Sequence, residues 1–256
     1  MQISNSVAVV TGGASGLGRA TVDLLIAQGG RALVLDMNTE LGQDLVARYG
    51  DKVLYANVDV VDEEQVKAAI DQAVETFGAI HICINCAGIG GGGKTLSSFH
   101  GTMPLGNFRR VIETNLVGTF NVARLAAEAM ASNEPDADGG RGVIINTASV
   151  AAFDGQIGQV PYAASKAGVV GMGLTLARDL AATGIRVNTI APGLFETPML
   201  AKLPEEVRQS LANAVLFPKK LGKPTEYAKL AAFLIESGYM NGEVIRIDGG
   251  IRMQPK

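Results

Sequence analysis

The sequence predicts a single α/β domain, a parallel and doubly wound sheet of seven strands with helices on both faces. Three observations predict it. Short apolar runs of strand length alternate with amphipathic stretches of helix length along the whole chain. Parallel neighbours need a crossover of about a dozen residues or more, which is usually a helix, so this alternation implies a parallel sheet covered on both sides. Seven such strands account for nearly all of the 256 residues, of which 47% are apolar and 18% charged, enough for one sizeable core.

In chain order the predicted strands are VAVV (7–10), RALVL (31–35), KVLYANV (52–58), IHICIN (80–85), GVIINTA (142–148), IRVNTIA (185–191) and EVIRID (243–248). Between them lie the helical stretches LGRATVDLLIAQ, EEQVKAAIDQAVETF, FRRVIETNLVGTFNVARLAAEAM and EYAKLAAFLIES. Three segments exceed the ~4 to 6 residues usual for a connection: 89–107, 132–141 and 193–223. The first and third follow strands, at the carboxyl edge where open α/β sheets bind ligands, and are candidate substrate segments. The middle one follows a helix and belongs at the opposite edge, facing solvent or another subunit.

Composition narrows the function. The net charge is −3 with no cluster of Lys and Arg, which argues against a nucleic-acid surface. No run reaches the ~18 to 20 apolar residues of a membrane span, and the opening MQISNS is short and polar. The expectation is a soluble, cytoplasmic protein. Cys83 and Cys86 form a CxxC, but it sits in a strand-like run and only His81 and His100 could complete a metal set. Both cysteines read as small core residues, and no metal is expected.

The segment joining the first strand to its helix, VAVVTGGASGLGRA, carries Gly12, Gly16 and Gly18 in the pattern TGxxxGxG. Glycines there let backbone approach a pyrophosphate while a helix begins with its amides free. Asp36 closes the second strand 18 residues after Gly18, where a carboxylate can hydrogen-bond the ribose diol of an adenosine. A 2′-phosphate at that place would bring two anions together, and neither Ser15 nor Met37 offers a cation; Arg19 is the one candidate to do so. NAD is therefore expected over NADP. Asp59, at the end of the third strand, could reach the adenine amine or could simply form the turn before DEEQ. The run NCAG (85–88) ends the fourth strand in small residues, as a cofactor lying across the sheet requires.

Tyr162 and Lys166 lie four positions apart in PYAASKAGVV, hence on one face of a helix. A phenol of pKa near 10 is only about 0.1% ionised at pH 7, and a neighbouring ammonium favours the phenolate. The pair is a candidate general acid/base for an alcohol proton. Ser149, 13 residues before Tyr162 at a strand end, can hydrogen-bond a carbonyl oxygen. Asn115 is polar in the middle of an apolar helix, where Asn is unfavourable, so a local water or backbone role is expected.

With these motifs, and with APG and GEVIRIDGG further on, the sequence resembles the short-chain dehydrogenase/reductase family along essentially its whole length. One departure is Cys86, where the family more often has a second Asn. The resemblance implies a Rossmann fold and hydride exchange between NAD and a substrate carbon. In it Tyr162 transfers the proton, Ser149 holds the substrate oxygen, Lys166 lowers the Tyr162 pKa and binds the nicotinamide ribose, and Asn115 supports a water chain to Lys166. The implied cofactor contacts are Gly12, Ser15, Gly16, Leu17, Gly18, Asp36, Asp59, Val60, Cys86, Ala87, Gly88, Tyr162, Lys166, Pro192, Gly193 and Thr197, the last touching the carboxamide. The family usually forms tetramers, and GEVIRIDGGIRMQPK reads as an edge strand and tail that such assembly would cover.

A narrower resemblance runs through NEPDADGGRGVIINTASVAAFDGQIGQVPYAASK, IRVNTIAPGLFETPML and NGEVIRIDGGIRMQP, toward the L-3-hydroxyacyl-CoA dehydrogenases of that family, which also act on hydroxysteroids. It implies an acyl-CoA substrate bound by Ser149, Gln156 and Tyr162. Leu194, Phe195, Met199, Leu200, Leu203 and Phe217 could cover an acyl chain, another apolar substrate or a subunit contact. Lys94, Lys202, Lys219 and Lys220 could meet CoA phosphates or be ordinary surface lysines. A dehydrogenase of another secondary alcohol and a structural subunit of a larger complex remain the alternatives.

Overall fold

A computed structural model describes residues 1–201 and 203–255. Seven parallel strands form the main sheet: β1 (Val7–Thr11), β2 (Arg31–Leu35), β3 (Val53–Ala56), β4 (Ile82–Asn85), β7 (Gly142–Thr147), β8 (Ile185–Pro192) and β9 (Val244–Ile247). Their order across the sheet is β3-β2-β1-β4-β7-β8-β9. The direction of travel reverses after β3, so β1 and β4 flank a crevice at their carboxyl ends, where such sheets take ligands.

Strands β1 and β2 send alternate residues into two separate cores, as a period of two demands. From β1, Val7 and Val9 enter the core built with helices α3 (Glu63–Phe77), α5 (Gly118–Ala131) and α6 (Val160–Leu180). Ala8 and Val10 enter the core built with α1 (Gly16–Ala27), α2 (Thr39–Tyr49) and α9 (Pro224–Glu236). Cys83 and Cys86 fall on opposite sides of the sheet by the same count, Cys83 inside the first core and Cys86 against the second. Local signals start the helices: Asn38 accepts from the Leu41 amide and Asp62 from the Gln65 amide, each filling an orphan donor of a first turn. No helix among the described residues is long and apolar enough to cross a membrane.

Four sequence expectations change. The third strand ends at Ala56, so Asp59 lies in the following turn, where its carboxylate accepts from the Val61 amide. The segment 89–107 contains a small hairpin, β5 (Leu96–Ser97) with β6 (Gly101–Thr102), and the start of α4 (Leu105–Ile112). The helix expected over 108–130 is not uniform, because α4 and α5 are joined by a π turn over Glu113–Val117 in which the Gly118 amide bonds the Glu113 carbonyl. The segment 193–223 holds two further helices, α7 (Pro198–Ala201) and α8 (Glu205–Ala214).

Candidate active site

The turn after β1 is tight because no side chain stands inside it. A Cβ on Gly18 would lie 2.3 Å from the Gly12 carbonyl oxygen, so the start of α1 can fold down onto the turn only if that residue is glycine. Thr11 ties the turn to the end of β4 by accepting from the Ala87 amide at 3.0 Å. Asp36 sits beside it. One carboxylate oxygen accepts from the Ala14 amide at 3.1 Å and the other from the Asn38 amide at 2.9 Å, which fixes the acid at the rim of the crevice.

A cavity of about 680 Å³ opens along this edge of the sheet. Its wall brings together nearly every residue expected at the cofactor: Gly12, Ser15, Gly16, Leu17, Gly18, Asp36, Val60, Cys86, Ala87, Gly88, Pro192, Gly193 and Thr197, together with Ser149, Tyr162 and Lys166. Asp59, Asn115 and Gln156 do not line it. Phe195, Met199 and Leu200 do, so the segment after β8 supplies apolar side chains to the cavity wall.

Tyr162 and Lys166 stand on α6, with the Lys166 Nζ 5.9 Å from the centre of the phenol ring. Lys166 is 4% exposed and donates to the Thr147 carbonyl at 2.8 Å. Burial pushes its pKa down to about 8. Burial also pushes the Tyr162 phenol up, and the hydroxyl of Ser149 is the group that opposes it. Desolvation thus works against both charged forms, and the ammonium itself is held on a backbone carbonyl. Ser149 already accepts from the Ala151 amide at 3.1 Å, which leaves its own proton to donate into the cavity.

Asn115 explains the π turn. Its side chain forms a two-point bond with the backbone of Ile89, accepting from the amide at 2.8 Å and donating to the carbonyl at 3.0 Å, and it donates to Ser165 Oγ at 3.1 Å. The extra residue in the helix turns this amide toward the loop after β4. Its carbonyl accepts the Thr119 hydroxyl at 2.8 Å. The backbone half of the expectation for Asn115 is the one the side chain displays. Gly88 completes the fit, since a Cβ there would stand 3.2 Å from the Asn115 Oδ1 and 3.5 Å from the Lys166 Nζ.

Two residues here were not singled out in the sequence. Thr147 holds Lys166 through its carbonyl, and its hydroxyl lies 2.7 Å from that of Tyr227, a fully buried phenol on α9. Cys86 Sγ lies 3.5 Å from both hydroxyls. Nothing in one sequence pairs Thr147 with Tyr227, which are 80 positions apart.

Residues 6–208 match the model of a family described as short chain dehydrogenase. The chain belongs to the short-chain dehydrogenase family. It is 54% identical to a 3-hydroxyacyl-CoA dehydrogenase type-2 of Drosophila melanogaster, over 99% of this chain and 100% of the relative. The human protein of that name is 53% identical, over 99% of this chain and 97% of the relative. The crystal structure of a 3-hydroxyacyl-CoA dehydrogenase type-2 from Mycobacterium avium superposes with a TM-score of 0.95 at 42% identity, covering 98% of each chain. As a short-chain dehydrogenase the chain is an oxidoreductase that works with a nicotinamide cofactor, and the glycine turn, the anchored Asp36 and the long crevice fit that group.

The residues expected at substrate are divided. Ser149 and Tyr162 meet in the dehydrogenase cavity, whereas the Gln156 amide donates to the Gln254 carbonyl at 3.0 Å. Of the lysines considered for CoA phosphates, Lys219 donates to the Asn213 carbonyl at 3.1 Å, Lys220 pairs with Glu226 at 3.0 Å, and Lys94 is exposed. Lys202 lies outside the described residues.

Proposed function

We propose that this short-chain dehydrogenase interconverts a 3-hydroxyacyl-CoA and the 3-ketoacyl-CoA with NAD as its cofactor, in fatty acid metabolism. The observation that carries the reading is the convergence of Ser149, Tyr162 and Lys166 in the wall of one crevice that Phe195, Met199 and Leu200 also line with apolar side chains. The names of the relatives at 53–54% identity supply the acyl-CoA.

NAD over NADP is supported by two features. Both oxygens of Asp36 are fixed by backbone amides at the cavity rim, which suits a ribose diol and opposes a 2′-phosphate. Arg19, the one cation that could offset the acid, is already paired with Asp23 at 2.9 Å and Asp44 at 3.3 Å.

The bound nicotinamide supplies the hydride acceptor for oxidation and the donor for reduction. The protein handles the proton and the geometry. Ser149 donates to the substrate oxygen and fixes it beside the phenol of Tyr162. On oxidation the alcohol O–H proton passes to Tyr162 as the carbon loses its hydride; on reduction Tyr162 returns the proton to the new alkoxide oxygen. Lys166, four residues on and nearly without solvent, presents positive charge beside a phenolate that would otherwise be costly to bury. A hydroxysteroid or other apolar secondary alcohol would meet the same groups, which is why substrate choice needs its own measurement. Apolar side chains left exposed on α5 (Phe120) and α9 (Phe233), together with the edge strand β9, support assembly as a homotetramer.

The test is NADH oxidation with acetoacetyl-CoA, run beside NADPH and beside Tyr162→Phe. The expected outcome is turnover with NADH, little with NADPH, and a loss of about 10³-fold in the variant with NADH affinity retained. Absence of turnover by a protein that binds NADH would remove the acyl-CoA substrate and leave the dehydrogenase.

A further inference from the structure

The segment 153–159 leads into α6 and so sets the approach to Tyr162. Beyond turn bonds from the Phe153 and Asp154 amides to the Val150 carbonyl and from the Gln159 amide to the Gln156 carbonyl, it is held from three sides. Asp154 forms a forked pair with Arg246 of β9, at 3.3 Å from Nη1 and 2.7 Å from Nη2, with the two side chains only 14% and 21% exposed. The Arg246 guanidinium also lies 5.4 Å from the centre of the Phe153 ring. The chain end does the rest: the Ile157 amide donates to the Pro255 carbonyl at 2.9 Å, and the Gln156 side chain donates to the Gln254 carbonyl at 3.0 Å. On the far side the Gly93 amide donates to the Gly158 carbonyl at 2.8 Å, which links the segment to the loop after β4.

Arg246 is the point where these contacts meet. Besides Asp154 it donates through Nε to Asp248 at 2.8 Å and through Nη2 to the Ile251 carbonyl at 3.1 Å. One planar fork therefore fixes the segment before α6, the end of β9 and the start of the tail in a single arrangement, which a lysine could not reproduce. Immediately beside it the Gly193 amide, in the cavity wall, bonds the Ile247 carbonyl at 2.9 Å.

We propose that Arg246 is a positioning residue for substrate, and that the tail over 251–255 forms the outer support of the substrate half of the site by holding segment 153–159. The proposal rests on the dehydrogenase reading of the cavity and not on the identity of the acyl group. Arg246 and the tail contact the segment and not the Tyr162 hydroxyl, so their loss should loosen substrate binding while leaving the proton transfer intact.

The experiment compares Arg246→Met, Arg246→Lys and a chain ending at Arg252, each as the folded protein saturated with NADH. The expected result is a rise of about tenfold in KM for the keto substrate in Arg246→Met and in the shortened chain, with kcat within about twofold and NADH affinity unchanged. Arg246→Lys should recover little of it, and combining Arg246→Met with the shortening should add little, because both act through one segment. Amide exchange at Ile157 should quicken in both variants, a readout that needs no substrate. An unchanged KM with unchanged exchange at Ile157 would overturn the proposal, as would a parallel fall of kcat, substrate affinity and NADH affinity. If the intact chain fails to reduce acetoacetyl-CoA, the acyl-CoA reading fails by itself; this one is then decided by the same comparison with a small ketone.

Discussion

Each edge of the sheet holds a cation drawn out of solvent, Arg186 half-buried and Lys166 buried, and the two are used in opposite ways. At the amino edge Arg186, near the start of β8, donates to the carbonyls of Leu234 at 2.9 Å, Met240 at 2.8 Å and Ile235 at 2.7 Å. Leu234 and Ile235 lie in the last turn of α9, where orphan carbonyls and the negative end of the helix dipole favour a positive charge, and Met240 follows it in the chain. At the carboxyl edge Lys166 donates to one carbonyl, that of Thr147, although an ammonium has three donors, and it stands in the cavity wall. Burial lowers the pKa of both. A cation held by three backbone carbonyls at the foot of the sheet is scaffold, whereas one held by a single carbonyl in the wall of the dehydrogenase cavity is poised for chemistry.

Removing each cation should separate these roles. Arg186→Met leaves the last carbonyls of α9 without their donor, and the expected loss of unfolding free energy is roughly 3 to 5 kcal/mol. Turnover per folded molecule should stay unchanged, so chemical denaturation and active-site titration together decide the matter; a stable variant would deny Arg186 its capping role. Lys166→Met should do the reverse. Activity should be lost while stability rises, because holding a buried ammonium whose pKa falls from 10.5 to about 8 opposes folding by about 3 kcal/mol when the group is charged in both states. That gain belongs below pH 8 and should shrink as the pH rises toward 10.5, since the folded chain then carries the neutral amine. Denaturation midpoints of both proteins across that range give the answer, and a destabilised Lys166→Met at neutral pH would contradict it.

The same contrast shows what a sequence can disclose. The cofactor half of the site was legible because its residues sit at the ends of regular elements. Strand alternation located β1, β2 and β4, and Gly12, Asp36 and Cys86 then fell at their carboxyl ends by register alone. Tyr162 and Lys166 needed only the helical period. The segment before α6 was hidden because its order comes from contacts remote in sequence. Asp154 meets Arg246 92 positions away, and Gln156 meets Gln254 98 positions away. Asn115 lay between the two cases: its oddity inside a helix was visible, but not the π turn that swings it onto Ile89. The same limit applied to Tyr162, whose neighbour along the helix was plain while the burial that dominates its titration was not.

A third group at the amino edge sharpens the comparison at smaller scale. His81 precedes β4, and its Nδ1 accepts from the Val7 amide at 3.2 Å. Burial, and then the charge of Arg31, push its pKa below the ordinary 6.5. A protonated imidazole has no lone pair for that amide, so the folded state resists the proton that the unfolded chain accepts. Since the unfolded state binds more protons below 6.5, the contribution of His81 is complete above that value and is lost as the pH falls through the folded pKa. His81→Asn keeps an acceptor for Val7 and removes the titration. Between about pH 7.5 and about pH 5 the variant should therefore lose less stability than the parent, while the two agree at the upper end. The difference should be well below that for Arg186, because one hydrogen bond is at stake instead of three. Equal losses in both proteins would mean that acid acts elsewhere, and His81 would join Arg186 as scaffold without a pH dependence of its own.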